Sequence, residues 1–177
     1  MKEIEVKAKT DDLDRLAKAL LQLGCEFSKP LVQNDRIFIP KGTSVPALPG
    51  VSVLRIRDQD GKFLFTLKQA VSNQLDCVEK ELGIDDPNVL VEIFLLLGFE
   101  ESSQVKKTRQ KCRYGDMEIC LYKVHGLGSF IEVEKISEEN AKDVQEELFG
   151  FLQTLGIKKE DQVFFGYDVL LSNKTKK

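Results

Sequence analysis

The chain has no tryptophan, one histidine and only two methionines in 177 residues, and none of its four cysteines stands in a CxxC pair. A zinc site assembled from closely spaced Cys and His ligands is therefore not expected. Cys25, Cys77, Cys112 and Cys120 read instead as reduced, mainly structural residues. No window approaches the ~18 apolar residues of a membrane-spanning helix. The opening MKEIEVKAK also lacks the apolar run of a secretory signal. A cytoplasmic protein that does not engage membranes is the expectation. Positive charge is not in excess either: 26 Lys and Arg against 29 Asp and Glu leave a net −3. Broad binding to a nucleic-acid backbone would need a basic surface, so nucleic acid is not an expected partner. The single histidine, His125, precedes the Gly126-Leu127-Gly128 segment and reads as a turn residue rather than a catalyst.

What the chain does have is charge sorted strand by strand. Glu3, Glu5 and Lys7 alternate with Ile4 and Val6 in EIEVK. In an extended strand alternate side chains share a face, and neighbours on that face stand about 6.6 Å apart, close enough to address one ligand together. The pattern recurs with Arg55 and Arg57 in LRIR, Lys107 and Arg109 in KTR, Glu79 and Glu81 in EKE, and Glu132 and Glu134 in IEVEK. Exposed sheet faces usually mix Thr, Ser, Lys and Glu. Pairs of acids on some strands and pairs of bases on others point to a ligand.

Helical segments follow three of the acidic strands, each closing at Leu-Gly: Leu23-Gly24, Leu97-Gly98 and Leu155-Gly156. Glycine suits a helix C-terminus, where the chain turns through the left-handed region. The first helix is expected to begin near Asp11 or Asp12, with Leu13, Leu16, Ala17, Leu20 and Leu23 as its apolar stripe. The second should start after Asp85-Asp86 with Pro87 early, burying Val89, Leu90, Ile93, Phe94 and Leu97. The third should run from Ser137, with Val144, Leu148, Phe151, Leu152 and Leu155 inward. These stripes need apolar strand faces to cover, and Ile4, Val6, Leu54, Ile56, Ile131 and Val133 supply them opposite the charges. Phe63, Phe65 and Leu67 fit the same scheme, opposite Leu64, Thr66 and Lys68. An α+β fold follows, a curved or closed antiparallel sheet with helices packed outside and charge pointing into its lumen. No linker suggests a second domain. One unit over residues 1–171 is expected, with a short basic tail at 172–177, and the Pro- and Gly-rich segment 40–50 is a candidate tunnel mouth.

Unpaired charges in a closed space are costly, so the lumen must pair them, hydrate them or fill with a charged ligand. A self-satisfied salt-bridge network is one solution. The other is a triphosphate with divalent ions, which adds charge of both signs and almost no net charge. Arginine forks match phosphate oxygens, and carboxylates favour hard cations.

The ordered set EIEVK, QNDRIF at 33–38, LRIR, FTLK ending at Lys68, VEKE, VKKTR and VHGLGSFIEVE at 124–134 resembles the CYTH family, also called triphosphate tunnel metalloenzymes. The resemblance runs through nearly the whole chain. It implies a closed eight-stranded antiparallel β-barrel, a tunnel with a polar interior, and Mg2+ or Mn2+ as cofactor. By the same resemblance Lys7, Arg55, Arg57, Lys68, Lys107 and Arg109 would grip phosphate, with Lys7, Arg57, Lys107 and Arg109 acting in catalysis. Glu3, Glu5, Glu132 and Glu134 would hold metal, with Glu79 and Glu81 as further candidates. Nearness of HGLGSFIEVE to the class IV adenylyl cyclases favours conversion of ATP to cyclic AMP and pyrophosphate. The alternatives are hydrolysis of an inorganic or thiamine triphosphate, and a non-catalytic triphosphate- or nucleotide-binding protein. Dimerisation, common in the cyclase branch, is a further expectation. One position departs from the family: Tyr122, in LYKV, stands where an aspartate is usual. A phenol is a poor Mg2+ ligand. Glu118 shares that strand face but lies about 13 Å along it, too far for a simple replacement.

Overall fold

The computed structural model describes residues 2–175. Period-2 alternation produces the strands expected of it: β1 Lys2–Thr10, β2 Leu31–Pro40, β3 Ser52–Gln59, β4 Lys62–Ala70, β5 Asp76–Ile84, β6 Phe99–Tyr114, β7 Met117–Val124 and β8 Gly128–Ser137. All neighbouring pairs are antiparallel, in the order β5-β4-β3-β2-β6-β7-β8-β1. A return pairing of β1 with β5 closes the eight strands into a barrel. That closing seam is short, with Glu3 opposite Cys77 and Ile4 opposite Asp76. Beyond it the free edge of β1 is taken by a two-residue strand, β9 Gln162–Val163, at Lys7 and Ala8.

Helices α1 Leu13–Gln22, α2 Pro87–Leu96 and α3 Ala141–Thr154 lie outside the barrel. Asp12 caps α1, its carboxylate accepting from Arg15 N at 2.8 Å, and Asp86 caps α2 by accepting from Asn88 N and Val89 N. At the far end of α1, Gly24 has φ +84°. Its N–H donates to Leu21 O and that of Cys25 donates to Leu20 O, the paired closure that glycine alone adopts without strain. The third helix begins later than its sequence suggests. Ser137 is the last residue of β8, and Asn140 supplies the cap, accepting from Lys142 N at 2.9 Å. A fourth helix, α4 Tyr167–Thr175, carries the chain through the start of the expected tail. Residues 176 and 177 of that tail lie outside the described residues.

The two faces of the strands separate as the alternation requires. Ile4, Val6, Ile119, Ile131 and Val133 pack outward against Leu16 and Leu20 of α1 and Val144, Leu148 and Leu152 of α3. A second apolar cluster joins Phe38, Leu54 and Ile56 to Phe94 of α2. A third sits at one end of the lumen, where Val105, Cys120, Tyr122, Val124 and Phe130 meet Tyr167 of α4. The loop between β2 and β3 packs beside the β4–β5 turn, Gln74 Nε2 donating to Ala47 O at 2.7 Å. None of residues 41–50 is among those lining the cavity described below. Leu148 is wholly buried between α3 and the barrel wall. Leu148→Ala should lower unfolding free energy by about 2–5 kcal/mol, read as a lower denaturant midpoint with an unchanged slope.

Candidate functional site

The lumen is a single cavity of about 670 Å³, within the range of small-ligand sites. All the residues named from the sequence as phosphate grips, metal ligands or candidates line it, from Glu3 on β1 to Glu134 on β8. Their arrangement is uneven. One wall, formed by β2 to β6, matches bases with acids. Arg57 donates to both oxygens of Asp35, from Nε at 2.7 Å and Nη2 at 2.9 Å, and Lys107 Nζ stands 3.3 Å from the same carboxylate. Arg55 Nη2 donates to Thr66 Oγ1 and Glu79 Oε1, each at 3.0 Å, and Thr66 in turn donates to Glu81. Lys68 lies 3.3 Å from Glu79 and 3.6 Å from Glu3.

The opposite wall sets acids side by side. Glu5 faces Glu134 across the β1–β8 pair, and Glu134 faces Glu118 across β8–β7. Like charges directly opposite one another destabilise a sheet. Carboxylate oxygens of Glu3, Glu5 and Glu134 come within 4.8 Å of one another. Burial and its acidic neighbours push Glu134 up to about 9. Burial likewise drives Glu3 up to about 7, against the pull of Lys68. A hard divalent cation would relieve both, and three converging carboxylates are the donor set it takes. Glu132 is not among these three carboxylates. Lys7 Nζ lies 3.0 Å from it and 3.4 Å from Glu5, so Glu132 belongs to an ion pair rather than to the three-carboxylate cluster. Glu79 and Glu81 similarly belong to the Arg55 and Lys68 pairs.

The two buried lysines respond differently to the same enclosure. Burial disfavours the charge on Lys7, but Glu132 and Glu5 more than offset it and hold its pKa above the ordinary lysine value. Lys107 must share Asp35 with the Arg57 guanidinium, and burial brings it down to about 8. Its ammonium lies 4.9 Å from the centre of the Tyr122 ring and 5.2 Å from that of Tyr167, while Lys7 lies 4.3 Å from the Tyr167 ring. Tyr122 is thus a platform under Lys107 and the edge-on partner of Tyr167 at 5.7 Å, outside the carboxylate cluster. Arg109 is half-buried, pairs with no carboxylate among the described residues, and lies beside the Tyr122 phenol, which helps raise its pKa against burial.

Three residues escaped the sequence reading. Asp35 is the hub of the basic wall, and its alternation with Gln33 and Ile37 in QNDRIF was the available signal, since it puts Asp35 on one face with them. Tyr167 had no signal, because nothing in its local sequence tells that α4 returns to the barrel end. Glu118 was set against Tyr122 along its own strand, whereas its close neighbour is Glu134 on the next one.

A family model described as the CYTH domain matches residues 1–167. A Methanocaldococcus jannaschii protein named "Putative adenylate cyclase MJ0240" is 35% identical over 171 residues, 94% of this chain and 97% of that protein. The PH1819 protein of Pyrococcus horikoshii superposes with a TM-score of 0.80 at 26% identity, over 97% of this chain and 99% of that one. A Hippeastrum protein, "Putative adenylyl cyclase HpAC1", described as having a dominant triphosphatase activity, has the same fold at a TM-score of 0.64 and 18% identity, covering 99% and 96% of the two chains.

Asp35 offers a test of the basic wall. Arg57, Lys107 and Arg55 together outweigh burial and hold its carboxyl well below the usual aspartate range. Its stabilising effect is therefore complete above the unfolded aspartate value and is lost as pH falls through the depressed folded value. Asp35→Asn should cost about 3–5 kcal/mol at neutral pH by stranding two buried cations. The gap to wild type should close only in strongly acidic solution, as followed by denaturant melts across pH.

Proposed function

The chain belongs to the CYTH family of metal-dependent, triphosphate-processing enzymes, and from that premise we propose that it converts ATP to cyclic AMP and pyrophosphate. The observation that carries this reading is the facing of the Glu3-Glu5-Glu134 cluster and the Arg57, Lys107 and Arg109 wall within one cavity. Such a cavity favours a polyanion and divalent cations together over either alone, because the metal offsets the carboxylate cluster while the phosphates take the donor hydrogens that the basic wall retains.

Arg57 spends Nε and Nη2 on Asp35, which fixes the plane of the guanidinium and leaves Nη1 to reach a phosphate oxygen. Lys107 and Arg109, on β6 beyond β2, hold further oxygens, while Lys7 reaches in from the acid wall and Lys68 from β4. Glu3, Glu5 and Glu134 would hold Mg2+ or Mn2+, which when bound neutralises phosphate oxygens. In the reaction the ribose 3′-oxygen bonds to the α-phosphorus, the bond from that phosphorus to the bridging oxygen breaks, and the hydroxyl proton ends on the released pyrophosphate. The fixed cations stabilise the charge that spreads over the phosphate oxygens as this happens. Tyr122 supports Lys107 from beneath and takes no part in holding metal.

Two observations support a nucleotide over a bare triphosphate. Ile37, Val53 and Ile136 give the cavity an apolar portion, which a purely inorganic ligand would not use. The M. jannaschii relative bears an adenylate cyclase description over nearly its full length. Hydrolysis of the terminal phosphate is the second reading. It uses the same grips, and the Hippeastrum protein of the same fold is described with a triphosphatase activity.

Incubation of the pure protein with ATP and Mg2+ or Mn2+ should yield cyclic AMP and pyrophosphate. ADP and phosphate as the dominant products would select the second reading. Arg57→Ala should weaken tripolyphosphate binding roughly 10- to 150-fold, the loss of one charge-assisted contact. Calorimetric titration of a variant with an unchanged far-ultraviolet circular dichroism spectrum is the check.

A further inference from the structure

Glu134 has an acid on each side and a base on neither. It lies opposite Glu5 of β1 and opposite Glu118 of β7, and it forms no ion pair with a lysine or arginine among the described residues. Glu5 converges with it and Glu3, whereas Glu118 stands outside that cluster. The Glu118 oxygens are engaged elsewhere. Lys111 Nζ lies 3.0 and 3.2 Å from them, and Arg113 Nε is 3.9 Å from one. Both Lys111 and Glu118 line the cavity. The partners of the lumen acids differ in how deeply they are enclosed. Arg57 and Lys107, which hold Asp35, have side chains 7% exposed, and Lys7, which holds Glu132, 3%. Breaking such a buried pair strands a charge. The side chains of Lys111 and Arg113 are 42% and 76% exposed. A lysine half in water loses little on giving up a carboxylate, because its ammonium rehydrates in place. Glu118 therefore has the most readily exchanged ion pair of these acids. It is also the one carboxylate that β7 contributes to the lining, Tyr122 of the same strand lying against Lys107.

We infer that Glu118 is a fourth carboxylate ligand of the divalent cation, held aside by Lys111 and turned onto the ion when it binds. The inference rests on the reading that Glu3, Glu5 and Glu134 hold Mg2+ or Mn2+. A cation that neutralises Glu134 sits in the middle of the acidic row and attracts the carboxylates on both sides of it. Directly opposed residues on one sheet face stand about 4.5–5.5 Å apart at Cβ. Side-chain rotation alone therefore brings Glu118 beside Glu134, with β7 and β8 unmoved. Hard cations of this kind take about six oxygens in octahedral array. Four from carboxylates leave two positions for phosphate oxygens, so protein and polyanion complete one shell between them. The exchange also frees Lys111. Its ammonium keeps three donors at the cavity wall and can meet the incoming polyanion, so one side-chain movement serves both ligands.

Calorimetric titration of Mn2+ alone into four folded variants and the wild type tests this without any turnover. Glu134→Gln addresses the underlying metal site and should weaken Mn2+ roughly tenfold or more. Glu118→Gln should weaken it to a similar degree. Lys111→Met removes the competitor, and Mn2+ should then bind several-fold tighter. Loss of a nearby positive charge could tighten the metal by itself, so the double variant decides: in the Glu118→Gln background, Lys111→Met should change the affinity by less than about twofold. Wild-type affinity in Glu118→Gln beside a weakened Glu134→Gln overturns the inference and leaves the three-carboxylate site standing. Equal tightening by Lys111→Met in both backgrounds also overturns it, since Lys111 would then act by charge and not through Glu118. Unchanged affinity in Glu134→Gln removes the metal site itself, and the inference with it.

Discussion

Carboxylates set abreast on neighbouring strands are the constraint on which the rest of this structure depends. Glu5, Glu134 and Glu118 form one row across β1, β8 and β7, and Glu3 joins two of them in a cluster. No sheet gains stability from such a row. It persists because the surrounding barrel over-determines it: the same strands place Ile4, Val6, Ile131 and Val133 in the main apolar core on their other face. Because the side-chain period is two, moving the acids out of the lumen by a one-residue slip would expose that core. The unfavourable face is thus held by the favourable one.

The opposite wall solves the converse problem. Cations gathered to meet a polyanion must survive its absence, and Asp35 allows this by engaging Arg57 and Lys107 at once. Thr66 and Glu79 play the same part for Arg55. The neutralisation is partial by design of the donors: an arginine has five N–H groups and a lysine three, so each retains hydrogens for a ligand while its charge is compensated. Tyr122 and Tyr167 complete the arrangement by offering ring faces to Lys107 and Lys7. Tyr122 therefore bears on how Lys107 is held and stands outside the three-carboxylate cluster.

Much of this was legible in the sequence because period and order are local properties. Alternation in EIEVK, LRIR and IEVEK assigns faces without knowledge of neighbours, and Asp12, Asp86 and the Leu-Gly pairs mark helix ends by chemistry confined to a few residues. What was not legible depends on neighbours across the sheet. A lone acid such as Asp35 gains meaning only from Arg57 on the adjacent strand, and Glu118 only from Glu134. The start of α3 was misplaced because Ser137 and Asn140 are both competent caps, and the length of β8 decides between them. For α2, apolar all round, periodicity could not say which side faces the barrel, so Val89, Ile93 and Leu97 were expected inside and lie outside. The segment after Gly156 returns to the barrel as β9 and α4 for reasons of tertiary packing, Lys174 donating to Gly126 O at 2.6 Å, that no local pattern announces.

The central claim is that the two walls demand a polyanion and a divalent cation together. Calorimetric titration of Mn2+ in the absence and presence of saturating tripolyphosphate tests it directly, with the affinity of Mn2+ for free tripolyphosphate subtracted. The account predicts reciprocal coupling, each ligand tightening the other by the same factor of tenfold or more. Independent binding, or polyphosphate displacing the metal from the protein, would contradict it.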